Sequence, residues 1–411
     1  MRGFKFLMQN SNWLSAGILM TLLSSFGQTY FISIFANEIR DEFSLSHGEW
    51  GAIYTLGTGV SAFLMIWGGA LADKFRARVI VFLAILGLSL SCIAMSVNRL
   101  VWVLPMVILA LRFNGQGMLS HIPGVAMTRW FAAARGKALA ISGLGFSLGQ
   151  AFFPMIFVVL MDFLDWRFLW AVAAAIVVAI VPVLLFLLRN ERTPQSISNS
   201  ESSTGMLGKS WTRKEALFNK LFWMIAPAVI LPSMFNTALF FHQVHLIEVK
   251  GWEHIDFVAM LPVYTTATVC SMLGAGWAID RWGTGWLMPL SLLPLAGGFI
   301  VFWISGSIIY ALPGFILIAF TSGISSVLSS AFWAEYYGTH HLGAIKSLAS
   351  SLMVLGSAIG PGITGLLIDY DFDFPRQMLG IAFLTIGASV LTAFAVQGAS
   401  THLIARDRSP N

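Results

Sequence analysis

Apolar residues are grouped along the chain in blocks of about 20 residues, separated by short polar segments. A helix of about 20 apolar residues crosses the hydrocarbon core of a bilayer, which is about 30 Å thick. The blocks lack the two-residue alternation of a membrane β-barrel strand, and a helix satisfies its own backbone hydrogen bonds in lipid. The pattern predicts an all-α integral membrane protein with twelve transmembrane helices, near residues 12–37, 47–72, 76–97, 101–125, 137–160, 167–189, 220–246, 255–279, 285–305, 308–334, 344–368 and 377–399.

The longest polar segment, residues 190–219, divides the predicted spans into two sets of six. It is rich in Ser and Thr and has no apolar periodicity, which is typical of a flexible linker, with room for a short amphipathic helix at its end. The predicted organisation is a six-helix N-terminal half, a cytoplasmic linker, a six-helix C-terminal half and a cytoplasmic tail. Their bounds are 1–189, 190–219, 220–399 and 400–411.

The two halves also repeat each other in sequence. Two six-helix halves in parallel repeat, with a site between them near the membrane midplane, are an established transporter architecture. Agreement at one offset in equivalent loops and helices therefore predicts two pseudo-symmetric bundles. A shift of 207 positions matches Gly69 with Gly276, Asp73 with Asp280, Lys74 with Arg281, Gly136 with Gly343, Gly149 with Gly356 and Pro154 with Pro361.

Charged residues are scarce, at 10% of the chain, and 57% of the residues are hydrophobic. With the N-terminus inside, most of the 24 Lys and Arg residues fall in cytoplasmic segments, as the positive-inside rule requires. Both termini are therefore expected in the cytoplasm, and the length and short loops favour a bacterial inner membrane. The positive charge is explained by insertion topology, so no nucleic-acid partner is expected.

The segment GGALADKFRAR, residues 68–78, concentrates charge between the second and third predicted spans, and GAGWAIDRWGTG repeats part of it at 274–285. Both segments resemble the cytoplasmic loop motif of the major facilitator superfamily, although Arg76 stands where the motif usually has Gly. This resemblance, to which the twelve spans and the repeat add, implies a charge cluster that closes the cytoplasmic gate and breaks in the inward-facing state. The alternative is that these residues only determine topology. The residues assigned to the gate are Gly69, Asp73, Lys74, Arg78, Arg135, Asp280 and Arg281.

Glycine-rich segments in the fourth, fifth and eleventh spans, among them LRFNGQGM and HLGAIKSLASSLMVLGSAIGPGITGLLID, resemble the monocarboxylate-porter and oxalate/formate-antiporter branch. The resemblance implies a small organic anion as substrate. In that branch a cation on helix 8 or in the middle of helix 11 commonly meets the substrate carboxylate. Here the eighth span has none, and Lys346 lies at the cytoplasmic end of the eleventh. Each glycine also has a packing explanation, because small residues let helix backbones approach closely.

Arg112 is the only formal charge near the midpoint of a predicted span. Such an ion is costly in a membrane unless it is paired or hydrated. No carboxylate lies near it in the predicted spans, so an anionic substrate is the expected counter-ion, and Arg can grip a carboxylate in bidentate fashion. The alternative is that Arg112 caps backbone carbonyls or braces the contact between the fourth and fifth spans. Further substrate-binding candidates, each of which could instead make an interhelical hydrogen bond, are Gln28, Tyr30, Gln116, Asn236, His242, Tyr264 and Ser325.

His242 and His245 lie three residues apart and share a helix face, and histidine titrates where a proton gradient acts. Proton coupling through His242 is one interpretation, and an ordinary polar lining residue is the other. A two-histidine metal site lacks a third ligand at helical spacing. The sequence has no nucleotide-binding loop and no Ser–His–carboxylate set at an interpretable spacing. Neither an enzymatic activity nor a cofactor is expected.

The sequence as a whole predicts a secondary active transporter that moves a small organic anion, most simply a monocarboxylate, by alternating access. It is expected to act as a monomer in the lipid bilayer, with protons as the candidate coupling ion. The alternative within transport is an exporter of a drug-like, siderophore-like or other neutral or anionic metabolite. A non-transporting sensor on the same fold is disfavoured because the linker and tail are short.

Overall fold

The computed structural model describes residues 7–131, 135–189, 204–338, 340–401 and 403 of the 411-residue chain. All regular elements within these residues are helices, and they form twelve successive segments at the predicted spans. The segments are α1 (Ser11–Leu23, Ser24–Gly27, Thr29–Ile32, Ser33–Phe35 and Ala36–Phe43), α2 (His47–Lys74), α3 (Ala77–Val97), α4 (Leu104–Leu111, Arg112–Leu119 and Ser120–Trp130), α5 (Arg135–Met161), α6 (Trp166–Ala179 and Val181–Leu187), α7 (Lys220–Phe241), α8 (His254–Ala259 and Leu261–Trp282), α9 (Leu287–Leu290 and Leu293–Ile304), α10 (Ile308–Tyr337), α11 (Leu342–Asp369) and α12 (Phe374–Ser400).

Ten of the described helical segments are long and apolar enough to cross a bilayer, and α1, which is bent by 50°, makes an eleventh. The 28-residue α2 occupies the place of the second predicted span. The predicted all-α, multi-pass architecture is therefore confirmed. Two short helices flank α7: Arg213–Phe218, which we call the linker helix, and Gln243–Lys250, which we call the cap helix.

The first span is interrupted at its centre, which the sequence did not predict. Ser24–Gly27 form a 3-10 turn, and Gln28 is extended, with φ −89° and ψ 153°. The break lies against the π-helical stretch Arg112–Leu119 of α4. A Cβ atom on Gly27 would lie 2.2 Å from a backbone oxygen of α4, and one on Gly115 would lie 2.6 Å from Gly27. The two glycines therefore let two irregular backbones meet.

The two halves of the chain meet along α2 and α11. Thr55 Oγ1 donates to the carbonyl of Ala358 at 2.6 Å. The carboxylate of Asp369 accepts from Gly48 N at 2.8 Å and from Ser46 Oγ at 2.7 Å. These last contacts lie at the end of the bundle that holds the start of α2 and the end of α11. We call this the outer end, and the opposite end the inner end.

The linker helix begins with a capping box. The Thr212 side chain accepts from Glu215 N at 3.3 Å, and the Glu215 carboxylate accepts from Thr212 N at 2.9 Å. Lys209 Nζ lies 2.5 Å from Glu215, and these partners, Lys209 foremost, lower the pKa of Glu215 to about 2. Trp211 N donates to the carbonyl of Tyr337 at 3.0 Å, which ties the segment to the end of α10.

Glycines of α5 allow α1 to pack closely against it. A Cβ atom on Gly145 would lie 1.9 Å from the carbonyl oxygen of Ile18, and one on Gly149 would lie 1.9 Å from Ser25 Oγ. Gly143, on the same helix, has nothing within 4 Å of such an atom. The packing explanation therefore fits Gly145 and Gly149 but not Gly143.

We expect Gly145→Ala to lower the thermal unfolding midpoint of the purified protein, because the added methyl group would meet the α1 backbone. Overpacking of this kind costs about 1–3 kcal/mol. The matched control is Gly143→Ala, which adds the same methyl group to the same helix in open space and should leave the midpoint nearly unchanged. Equal midpoints for the two variants would contradict the close packing of α1 on α5.

Candidate functional site

A cavity of about 540 Å³ lies between α7, α9, α10 and α11. Its described lining residues all belong to the C-terminal half, and most of its polar groups are hydroxyls. A cavity of this size is suited to a small-molecule ligand. The apolar lining residues are Ala228, Val229, Pro232, Met288, Leu328 and Met353, and the polar ones are Ser233, Asn236, Ser291, Ser322, Ser325, Ser326, Ser329, Lys346 and Ser350.

Tyr264 of α8 organises the deep end of this cavity. Its hydroxyl donates to Asn236 Oδ1 of α7 at 3.1 Å and lies 2.8 Å from Ser322 Oγ of α10. The Tyr264 ring is buried, with Phe240 edge-on to it at 5.2 Å. One hydroxyl group therefore positions polar side chains from two other helices. The structure brings three predicted site residues together here, because Ser325 lies on the same wall.

Lys346 is the cation of the cavity. It lies near the start of α11, is half-buried, and has no ion-pair partner among the described residues. The described lining contains no carboxylate. Lys346 and Ser350 are four residues apart, so they share one face of α11. This spacing is the sequence signal that could have identified Lys346, which sequence reasoning had set aside because of its position at a helix end.

Arg112 lies elsewhere, against the break in α1. Its guanidinium Nη1 donates to the carbonyl of Gly27 at 3.1 Å and to Thr29 Oγ1 at 3.3 Å. The guanidinium carbon lies 5.4 Å from the centre of the Tyr54 ring, and the side chain is 2% exposed. In the part of the chain that the structure describes, its Nε atom has no hydrogen-bond partner. Arg112 thus supplies a donor to a backbone carbonyl at the point where α1 is irregular.

The other predicted site residues of the N-terminal half surround the same break. Tyr30 donates to Ser25 Oγ at 2.9 Å and is buried. Gln28 Nε2 lies 3.5 Å from Ser120 Oγ, and Gln116 is half-buried on the π-helical stretch of α4. These residues are not among the described lining of the cavity between α7 and α11.

His242 lies at the outer end, immediately after α7, and not at mid-membrane depth. It is 3% exposed, and its Nε2 lies 2.9 Å from the carbonyl oxygen of Pro361 in α11. The residues that the structure describes include no group of three or more His, Cys, Asp or Glu side chains suited to holding a metal ion.

The predicted gate residues are described only in part. Arg78 is exposed and lines a groove of about 750 Å³ with Arg76 and Arg189 at the inner end. Arg281 is exposed, with its guanidinium 5.6 Å from the ring of Trp277. The other assigned gate residues fall outside the part of the chain whose side chains the structure describes: Gly69, Asp73, Lys74, Arg135 and Asp280.

The model of the Major Facilitator Superfamily matches residues 17–361 of the sequence. The chain belongs to this superfamily. As a superfamily member with helices of membrane-spanning length, the protein is a multi-pass membrane transporter and not an enzyme. The expectation that the chain belongs to this superfamily is thereby confirmed.

Similar proteins include monocarboxylate transporter 13 of Bos taurus, which is 24% identical over 95% of this chain and 89% of its own length. The cis,cis-muconate transport protein of Acinetobacter baylyi is 23% identical over 90% of this chain and 89% of its own length. A solved structure of a bacterial homologue of the human lysosomal transporter Spinster, inward-facing and unoccupied, has a TM-score of 0.71 at 15% identity. The structural alignment covers 96% of this chain and 98% of the Spinster homologue. At this identity the similarity shows the fold.

We expect Arg112→Gln to lower the thermal unfolding midpoint of the ligand-free protein, because the hydrogen bonds to Gly27 and Thr29 would be lost. A hydrogen bond to a charged group contributes about 1.5–3 kcal/mol. Arg112→Lys keeps the charge but not the planar donor geometry, so its unfolding midpoint should lie between those of the unmodified protein and Arg112→Gln. The control is Arg281→Gln, at an exposed position, with no change expected. An Arg112→Gln variant of unchanged stability that no longer binds substrate would favour direct substrate contact over bracing.

Proposed function

We propose that this transporter carries a small organic anion with a carboxylate group by alternating access, and that Lys346 binds that carboxylate. The single observation that carries the proposal is the half-buried residue Lys346 on the wall of a hydroxyl-lined cavity whose described lining lacks a carboxylate. An ammonium group without an acidic partner attracts an anion, and the attraction is stronger away from bulk water.

The dimensions and polarity of the cavity support the same conclusion. From Lys346 near the inner end to Asn236 and Tyr264 at mid-depth, the described walls offer one cation followed by hydroxyl and amide groups. A carboxylate at Lys346 would leave the rest of a small molecule beside Ser325 and Asn236. The named relatives agree with this class of substrate, since one is called a monocarboxylate transporter and another a muconate transport protein.

Alternating access requires that the cavity opens to one side at a time. The described hydrogen bonds and ring contacts between the halves lie at or toward the outer end, in α1, α2, the end of α7, the cap helix and α11. We therefore propose that this conformation is closed at the outer end and that Lys346 is reached from the inner end. With the termini cytoplasmic, as the cation distribution predicts, the inner end would face the cytoplasm of a bacterial inner membrane.

Two parts of the sequence interpretation stay predictions. Direct contact of Arg112 with substrate would require another conformation, because its side chain is buried here, and the present hydrogen bonds favour the bracing alternative. The assigned gate residues would close the inner end in the outward-facing state by pairing loop carboxylates with loop cations.

The proposal is tested by uptake of labelled mono- and dicarboxylates into proteoliposomes. We expect Lys346→Gln to raise the half-saturating concentration about tenfold or more, because one charge-assisted hydrogen bond contributes about 1.5–3 kcal/mol, and Lys346→Arg to retain part of the uptake. The matched control is Lys220→Gln, which removes an exposed lysine from the start of α7 and should leave uptake unchanged.

Uptake of a carboxylate that is insensitive to Lys346→Gln would overturn the role of this lysine. If no carboxylate is transported and Asn236→Ala or Tyr264→Phe alters transport of an uncharged solute, the exporter of neutral metabolites becomes the better assignment. The hydroxyl and amide groups at the deep end of the cavity are the observation that favours this second candidate.

A further inference from the structure

Three histidines from opposite halves of the chain meet at the outer end. His47 begins α2, and His242 and His245 lie at the junction of α7 and the cap helix. The centre of the His47 ring is 4.5 Å from that of His245 and 6.3 Å from that of His242. His242 and His245 are buried, and His47 is half-buried. The sequence indicated only the pair on one helix face, because His47 is remote along the chain.

The histidine cluster lies within the contact that closes the outer end. Beside it, Gln243 Nε2 donates to Ser33 Oγ at 3.1 Å, and Asn37 hydrogen-bonds to Glu248. The Phe241 ring, at the end of α7, stacks on Trp50 of α2 at 5.5 Å. These contacts, together with the three histidines, form what we call the outer seam. Its residues must separate if the outer end is to open.

The charged groups around the cluster are unequally distributed. The carboxylate of Asp373, at the start of α12, lies 3.7 Å from His245 Nε2. The carboxylate of Glu248, in the cap helix, also favours a proton on His245. The positive charge of Arg40, in α1, disfavours a proton on any of the three histidines. The negative charge of Asp369, in α11, favours a proton on His47. Its carboxylate is also occupied by the Ser46 hydroxyl and the Gly48 amide.

This arrangement accommodates a first proton better than a second. A proton on His245 would face the carboxylate of Asp373, which also lies 4.0 Å from Arg376 Nε. A further proton on His47 or His242 would place two positive rings within a few ångströms of each other and near Arg40. At such distances two positive charges repel each other even at an effective dielectric constant near 20. Separation of the two halves relieves this repulsion, because His47 leaves with one half and His242 and His245 with the other.

We propose that His47, His242 and His245 form a proton-binding site whose protonation opens the outer seam. The proposal rests on the proposed alternating-access function and assigns its coupling ion, the proton. The site binds protons most favourably when the outer end is open and the rings are hydrated. Closure of the seam then favours release of at least one proton.

The pKa of His245 is shifted in the direction that the proposal requires. Burial lowers it below the ordinary value of 6.5, and Asp373 and Glu248 only partly oppose burial. A histidine whose pKa is lowered in the closed seam contributes stability to that state above the ordinary pKa and loses it as the pH falls. The closed seam should therefore weaken at acidic pH.

The test is a distance measurement across the outer end of the full-length protein in lipid nanodiscs without substrate. Spin labels are placed at Asp41→Cys and Glu253→Cys, two exposed positions in opposite halves, in a background with Cys92→Ser and Cys270→Ser. We expect one short distance at pH 8. Between pH 8 and pH 5 the population with the short distance should fall about tenfold or more relative to the population with the long distance. The midpoint of this change should lie between about pH 5 and 7.

The double variant His47→Gln with His245→Gln should keep the short distance at both pH values. The matched control is His340→Gln with His341→Gln, which removes an adjacent histidine pair whose rings are 4.3 Å apart elsewhere in the chain. This control should respond to pH like the unmodified protein. His47→Lys, whose ammonium group has an ordinary pKa well above 8, should show the long distance already at pH 8. Thermal unfolding checks that each variant is folded.

An unmodified protein whose distances do not change with pH would overturn the proposal, and so would a pH response that survives in the folded double variant. Loss of the response in the control pair would also contradict it. Because no substrate is present, the measurement is independent of Lys346. A pH-dependent seam in a protein that transports no carboxylate would leave this proposal standing and reject the proposed substrate.

Discussion

The structure depends on a constraint that the bilayer imposes: every backbone polar group inside the hydrocarbon must find a partner within the protein. Unbroken helices meet this demand by themselves, but α1 is broken at Gln28. The carbonyl of Gly27, exposed by the break, accepts a hydrogen bond from Arg112. Gly27 and Gly115 allow α1 and α4 to approach closely enough for this contact. The buried charge and the irregular backbone therefore stabilise each other.

The cations Arg112 and Lys346, one in each half, have different surroundings. In the N-terminal half the buried cation serves the backbone, and Thr29, which accepts from Arg112, also hydrogen-bonds to Tyr54. In the C-terminal half a cavity lies between α7, α9, α10 and α11, where Tyr264 of α8 contacts α7 and α10, and Lys346 has no described ion-pair partner. Tyr54 also packs on Phe241 at 4.6 Å, which connects the braced half to the outer seam.

The helical spans could be predicted because membrane insertion depends on local hydrophobicity, which is a property of each segment by itself. The break in α1 could not, because polar residues and glycine such as those at residues 24–29 also occur in unbroken membrane helices, and the donor that meets the Gly27 carbonyl lies in α4. The position of Lys346 near a helix end does not predict a site residue, yet the rotation of α11 turns it into the cavity. His47 gave no signal, since its partners are remote along the chain.

The sequence by itself determined that the chain is a multi-pass helical membrane protein of the major facilitator superfamily, because hydropathy and loop motifs are carried by contiguous residues. Only the tertiary structure decided which cation is used as a brace, which one faces a cavity, and which histidines meet across the seam. These outcomes depend on how each helix is rotated and which neighbour it packs against. Both follow from contacts between residues far apart in the chain, and no single segment encodes them.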